Sequence, residues 1–331
     1  MSSGNSISID HSVLFAPSGH LARNGKHMLH STEGDFGSLI SKSWHLPAIA
    51  VTSVSGALRR GLHLRHHDER GCLTVNSCYV IKGNVRSRFS GFAEEITLAK
   101  GSHNLIYNPE TMDDYFLSAD ENEFSMLHVA IDRSRFVDLL CVNENWCDEL
   151  REKIISGQLA LGVECPLSVS SAMFRTICDI MNCPITGTLE ILLLEAKVLE
   201  LIAYQLHQYH NLDLTKQMPM SRSDRETFLE IKSYLSSAYD REHSLRSLAR
   251  QFGINEFKLK KGFRELFGTT VFGYIHSVKM YHARMMMEEA GATVSQAASR
   301  TGYKNPNHFS VAFKKQFGLS PSALRKTQVL A

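Results

Sequence analysis

Long hydrophobic runs are missing from this chain of 331 residues. Runs such as Ile191–Leu194 fall far short of the ~20 apolar residues a membrane span needs. The first ten residues carry neither a basic nor an apolar stretch, so no secretory signal is expected. Cysteine is scarce and badly arranged for cross-linking. The seven are an odd number, none lies beyond Cys183, and no Cys-x-x-Cys pair occurs. A disulfide framework is unexpected, and reduced thiols in a cytoplasmic protein fit better. With 43% hydrophobic and 21% charged residues, wholesale disorder is excluded. The length suits two domains, or three.

Net charge is also small, +2, but unevenly spread. Residues 1–220 hold 18 Lys and Arg against 25 Asp and Glu, net −7, while residues 221–331 hold 18 against 9, net +9. A basic segment joined to an acidic one points the C-terminal part at a polyanion, although charge alone also fits a solvated basic surface.

The first third reads as β. Ile49–Ser55, Cys72–Ile81, Val85–Phe89, Gly101–Tyr107 and Phe124–Ile131 are short β-prone runs, with turn signals at Lys82-Gly83-Asn84, Lys100-Gly101 and Asn108-Pro109. An antiparallel barrel or sandwich follows. Asp132 is placed to cap a helix over Ser134–Leu140, and Asn143 another towards Ser156. A helical hairpin comes next, broken at Cys183–Gly187, its second helix running from about Leu189 to Tyr209. In that helix Leu192, Leu199 and Leu206 recur every seven residues, with Ala196 and Ala203 four after the first two. Such a seam serves either a homodimer or packing of the hairpin on itself. Residues 211–223 are polar, contain Pro219 and read as a linker. The expected domains are 1–140, 141–210 for the hairpin, and 224–331 beyond the linker.

The C-terminal third contains a repeat. Its skeleton is a small residue, a Gly four later, then Phe-x3-Phe-Gly: Ala249, Gly253, Phe263, Phe267, Gly268 in copy one and Ala298, Gly302, Phe313, Phe317, Gly318 in copy two. The alanines allow close helix crossing, and Gly253 and Gly302 suit the left-handed turn that ends a helix. Phe257, Leu259 and Phe263, and then Phe309 and Phe313, are expected to point the next helix into a small core. Pro306 suits the first turn of its helix. This is helix-turn-helix logic, twice over. A helix over Val271–Glu289, apolar through Phe272, Ile275, Met280, Ala283 and Met287, would hold the units apart. Recognition helices about 34 Å apart would meet successive major-groove segments.

The segment Ala298-x3-Gly302-Tyr303-Lys304-Asn305-Pro306-Asn307-His308-Phe309-x3-Phe313-Lys314-Lys315-x-Phe317-Gly318-Leu319-Ser320-Pro321, with Tyr274-x4-Lys279-Met280-x2-Ala283 before it, resembles the AraC/XylS transcription regulators over about a third of the chain. The family more often has Arg where Lys279 stands, and a Tyr where Leu324 stands. The resemblance implies an α+β, two-domain protein with a cupin-like effector barrel ahead of an all-α double helix-turn-helix domain. It also implies promoter DNA and RNA polymerase as partners, and a regulator, most often an activator, rather than an enzyme. Asn182-Cys183-Pro184 with Leu193-x-Glu195-Ala196-Lys197-x-Leu199-Glu200-Leu201, and Asn255–Phe263, are similar to regulators of pyochelin- and yersiniabactin-type siderophore uptake. That similarity implies an iron-loaded siderophore as effector, with no resident cofactor.

By geometry, the front of each recognition helix faces the groove. In copy one this selects Asn255, Phe257, Lys258, Lys260 and Lys261; in copy two Asn307, His308, Ser310 and Val311. Phe257 reads equally as a thymine-methyl contact or as core. Lys304, Lys314 and Lys315 are placed for phosphates. Copy one, richer in lysine, is expected to contribute more affinity.

In the N-terminal part, His63, His66 and His67 lie near Cys72 and Cys78, but their spacing matches no zinc finger, and surface histidines are the ordinary reading. Arg86 and Arg88 share one strand face and suit either a carboxylate clamp or solvent. Trp44, Tyr79 and Tyr107 suit either stacking on an effector or core packing. Metal or redox sensing, or another effector such as a sugar or fatty acid, are the alternatives to a siderophore.

Overall fold

The period-2 patterning of the first part and the 3.6-residue patterning of the rest separate cleanly in the computed structural model. It describes residues 7–10, 28–67, 73–89, 95–110, 112–119, 122–140, 145–183, 187–215, 221–288, 291–317 and 320–324. The chain divides into two units: Met1–Val169 with Thr176–Ala203, and Ser170–Arg175 with Tyr204–Ala331.

The first unit holds two sheets. One has the order β1-β5-β10-β7-β8, from Ile7–Asp10, Leu62–His67, Met112–Ser118, Asn84–Phe89 and Ile96–Leu98. The other runs β12-β9-β6-β11-β4-β3-β2, from Ala160–Leu161, Ser102–Tyr107, Thr74–Lys82, Glu123–Asp132, Ile49–Leu58, Gly37–Leu46 and Met28–Gly34, with β13 (Leu167–Ser168) also on β9. Among the described strands, only the β1–β5 pair is parallel. The turn read at Lys82-Gly83-Asn84 is the corner where the chain leaves one sheet for the other. Gly83 has φ +80°, and a Cβ there would lie 2.4 Å from the Ser118 carbonyl oxygen, so glycine is required. Leu39, Val54, Leu62, Leu64, Val80, Val85, Leu117 and Phe124 form the core between the sheets.

Asp132 caps α1 (Arg133–Leu139) as expected, its carboxylate accepting from the Ser134 and Arg135 amides. Helix α2 spans Asn145–Ile155; the Asn143 assigned to its cap lies outside the described residues. The hairpin is α3 (Ser171–Met181) and α4 (Thr188–Thr215). It is not a separate unit: each helix contributes to both. The linker is also shorter than read. Residues 211–215 continue α4, because Tyr209 and Leu212 extend its buried face past the polar Asn211. Only residue 221 of the remaining linker is described before α5.

The second unit is helical. Helix α5 is Arg222–Ser237, α6 Leu245–Gln251, α7 Glu256–Phe267, α8 Val271–Glu288, α9 Val294–Arg300 and α10 Pro306–Phe317. Each short leading helix opens on a capping box, Ser244 with Ser247 in α6 and Thr293 with Gln296 in α9. Gly253 (φ 66°) and Gly302 (φ 83°) take the left-handed turn the repeat demanded. Leu248, Ala249, Leu259, Phe263 and Phe267 pack on Phe228 and Ile231 of α5 and on Val271, Tyr274 and Ile275 of α8. Ala297, Ala298, Phe309, Phe313 and Phe317 are their buried counterparts in copy two. Residues 170–175 complete this second half. The Phe174 ring meets Phe317 and Tyr281 edge-on at 5.1 and 5.4 Å, and the Arg284 guanidinium lies 4.7 Å above it.

Two apolar assignments are corrected. Phe257 is 74% exposed, not core. It lies two residues from the buried Leu259, about 200° around the helix, so the two cannot share a face. Phe272 is also exposed, and Val271 is buried in its place.

Candidate nucleic-acid interface and ligand cavity

Helices α7 and α10 align without a gap at a spacing of 50, sharing Phe263/Phe313 and Phe267/Phe317, so their outward positions can be compared directly. Asn255 is the N-cap of α7, and its side-chain oxygen accepts from the Lys258 amide at 2.7 Å. That acceptor holds the helix start, leaving the amide NH2 as its outward donor. Phe257 and Lys260 are exposed. Lys258 is tied back by an ion pair with Asp224 of α5 at 2.6 Å, and Lys261 lies 3.7 Å from Glu265 on its own helix. The Lys258 ammonium and the Ser221 hydroxyl hold the Asp224 carboxyl below its ordinary range. Sequence reading missed Asp224, which sits 34 residues from its partner.

On α10, Asn307 and His308 are exposed, and Val311 is 71% exposed. Ser310 is half-buried and donates its hydroxyl to the Pro306 carbonyl at 2.8 Å, so only its acceptor capacity is left for a base. Lys304, Lys314 and Lys315 are exposed, the last two in the final turn. The turn between α9 and α10 is pinned by Tyr303, whose hydroxyl lies 3.0 Å from His276 of α8. Burial, with the charges of Lys315 and Lys279, lowers the His276 pKa and favours neutral imidazole.

In the first unit the predicted effector residues do not gather. Trp44 is buried and donates its indole N–H to the buried Glu190 at 3.0 Å. Tyr107 is core, its hydroxyl accepting from Arg133 at 3.4 Å. Arg86 and Arg88 do share a face of β7, but it is the outer one, where both reach Glu95 and lie over the Phe116 ring. His63 is on that outer face too, 2.7 Å from Asp114 and stacked on Phe116. Cys78 points between the sheets. Burial pushes its thiol pKa up to about 12, so it stays protonated and is a poor nucleophile. His66 and His67 fall in β5, and Cys72 lies outside the described residues. Among the described residues no three His, Cys, Asp or Glu side chains cluster as metal ligands would.

What the strands do build is a small cavity between the sheets, about 50 Å³. Asn76, Asn108, Asp113, Tyr115 and His128 supply its polar wall; Leu64, Phe89, Leu117 and Met126 are part of its apolar wall. Asp113 is only 6% exposed. It accepts from the Asn108 amide at 2.6 Å and from the Tyr115 hydroxyl at 3.2 Å. None of Trp44, Tyr107, Arg86 or Arg88 lines this space. No helix among the described residues is long and apolar enough to cross a membrane.

Comparison with known proteins fits this layout. Residues 248–327 match the family described as a helix-turn-helix domain, and residues 44–223 match the regulatory protein PchR N-terminal domain. The HTH-type transcriptional regulator GlxA of Rhizobium meliloti is 28% identical over 104 residues, 31% of this chain and 32% of that protein. The HTH-type transcriptional activator RhaR of Salmonella schwarzengrund is 28% identical over 104 residues, 31% of this chain and 37% of that one. The chain thus spans about a third of the length of these curated relatives. The crystal structure of an apo ToxT variant from Vibrio cholerae covers 84% of this chain and 96% of its own at 15% identity, with a TM-score of 0.35. The matched domains and relatives are transcription regulators, not enzymes. Since the PchR-type match takes in more than half of the residues, the chain belongs to the family of DNA-binding transcription regulators that join this N-terminal domain to an AraC-type helix-turn-helix domain.

Proposed function

We propose that this regulator reads promoter DNA through α7 and α10 together and that a small-molecule effector in the barrel cavity sets its occupancy there. The observation that carries the reading is the in-register duplication of the two helix pairs on the basic unit. A regulator with two readers at fixed separation recognises a composite site, and its partners at the promoter include RNA polymerase. An iron-loaded siderophore is the effector class suggested by the similarity of the N-terminal domain. The effector shifts an existing equilibrium between DNA-competent and incompetent states, the favoured outcome being activation.

The same chain pairs with a second copy along α4. Leu189 and Leu192 are each 65% exposed, and Ala196 and Ala203 are exposed, while Leu194, Val198, Leu201 and Ile202 serve the buried side. Of the seam, Leu192, Ala196 and Ala203 are exposed while Leu199 and Leu206 are half-buried, so part of it is left outside the hairpin, which supports self-association over internal packing.

The test is selection of binding sites from random DNA with the full chain. Enrichment of two short motifs about one helical turn apart is expected, and a ferric siderophore of the phenolate–thiazoline class is expected to shift the binding midpoint. A selected pool without sequence preference refutes the DNA reading. A midpoint indifferent to that siderophore refutes the effector class.

A further inference from the structure

We infer that α3 positions the second reader: Ser171, Phe174 and Arg175 hold the last turn of α10, and copy two depends on them to read its half-site. This rests on the reading of α10 as a DNA reader and adds what fixes it.

Three observations converge. First, Ser171, Phe174 and Arg175 stand at i, i+3 and i+4 of α3, so they share one face of a single turn. Their partners are three consecutive residues of α10: Gln316, Phe317 and Lys315. Second, each contact answers a need of a helix end. The last carbonyls of a helix have no donor within it. The Arg175 guanidinium donates to the Lys315 carbonyl at 3.3 Å, and a cation there also suits the negative end of the helix dipole. Gln316 is only 6% exposed, and its side-chain oxygen accepts from the Ser171 hydroxyl at 2.9 Å. Losing that bond leaves a buried acceptor short of a donor. Phe174 is buried edge-on against Phe317, and the Arg284 guanidinium of α8 lies 4.7 Å above the first ring and 5.3 Å above the second. Third, copy one is held differently. Lys232 of α5 lies 4.8 Å above Phe267, the counterpart of Phe317. Gly268 closes α7 in the left-handed conformation, its N–H donating to the Arg264 carbonyl. His276 pins the front of α10 through Tyr303, and α3 holds its far end. Since α3 leaves this unit at Thr176, copy two is finished by a helix that the first unit shares.

The DNA site selected by the full chain tests this as three duplexes in an anisotropy titration: intact, and with one or the other half scrambled. The ratio of scrambled to intact Kd measures how well each half is read, and Asn307→Ala identifies the half that α10 reads. Phe174→Ala is expected to lower the α10 ratio about tenfold, as if α10 were competent about a tenth of the time. The other ratio should hold within about twofold. Ser171→Ala combined with Arg175→Ala should lower the α10 ratio about fivefold, the size of a typical hydrogen bond. Ser171 is half-buried and Arg175 exposed, so this double variant carries the test if Phe174→Ala does not fold. A double variant that leaves the α10 ratio unchanged overturns the proposal. So do variants that lower both ratios alike, because a general loss of fold weakens both readers. If Asn307→Ala lowers neither ratio, the reading of α10 itself falls, and this inference with it.

Discussion

The two helix-turn-helix units share a skeleton and differ in how each is held. In copy one, α7 is clamped from α5. Gly262 lets the Phe228 ring so close that a Cβ would lie 2.2 Å from it, and Asp224 of the same helix holds Lys258. In copy two, Ala312 occupies the position of Gly262, and the fixing group is a neutral histidine on Tyr303. Copy one thus places its lysines partly in its own scaffold, while copy two leaves Lys304, Lys314 and Lys315 outward. A lysine count therefore overstates what copy one offers to DNA. The duplication conserves geometry, and the surface chemistry has diverged.

The comparison breaks most readily at Gly262. Gly262→Ala is expected to destabilise the chain by about 1–3 kcal/mol through overpacking, read by urea denaturation, and Phe228→Leu should recover much of the loss. A neutral Gly262→Ala would mean the close crossing is not a constraint. Next, Lys260→Ala should cost roughly 1–2 kcal/mol in promoter affinity. Lys258→Ala should cost clearly less, since its ammonium is engaged by Asp224; equal losses in an anisotropy titration would remove the distinction drawn here. Replacing Lys314 and Lys315 together by Ala should lower the slope of log affinity against log salt by about 2, with sequence preference unaltered.

The smallest expected effect concerns pH. His276 has a lowered folded-state pKa, so the unfolded chain binds its proton more readily. Its contribution is complete above the unfolded value of about 6.5 and is lost as pH falls below it. Copy two should soften between about pH 6.5 and 5. The Asp224 carboxyl is depressed instead, so the clamp on copy one holds until pH drops below the ordinary carboxylate range. Thermal melts at about pH 7.5 and 5.5, with and without His276→Gln, check this: the variant should show the shallower dependence.

How far the sequence could be read follows from locality. The caps at Asp132 and the turns at Gly253 and Gly302 are set by neighbours within a few residues, and all were legible. Strands β3, β5 and β10 were not. Inward positions are polar in two of them, Ser41 and Ser43 in β3 and Asp113 in β10, and β5 is a short run whose outward positions carry His63 and Arg65. Phe257 reads as core or as an outward contact from hydrophobic character alone, and its angle around the helix relative to the buried Leu259 decides for the exposed face. The cavity was out of reach for a stronger reason: Asn76, Asp113 and His128 come from three strands that only sheet pairing brings together. Likewise nothing local in Trp44 announces Glu190, 146 residues on.

The hexapeptide 170–175 carries a practical warning. It belongs to the DNA-reading unit, yet the chain returns to the other unit before reaching it again at Tyr204. Severing the gene at Ser221 would strip Phe174 from Phe317, Tyr281 and Arg284 and leave that aromatic face wet. A truncated reader that precipitates or binds poorly would then report a missing plug, not a missing function.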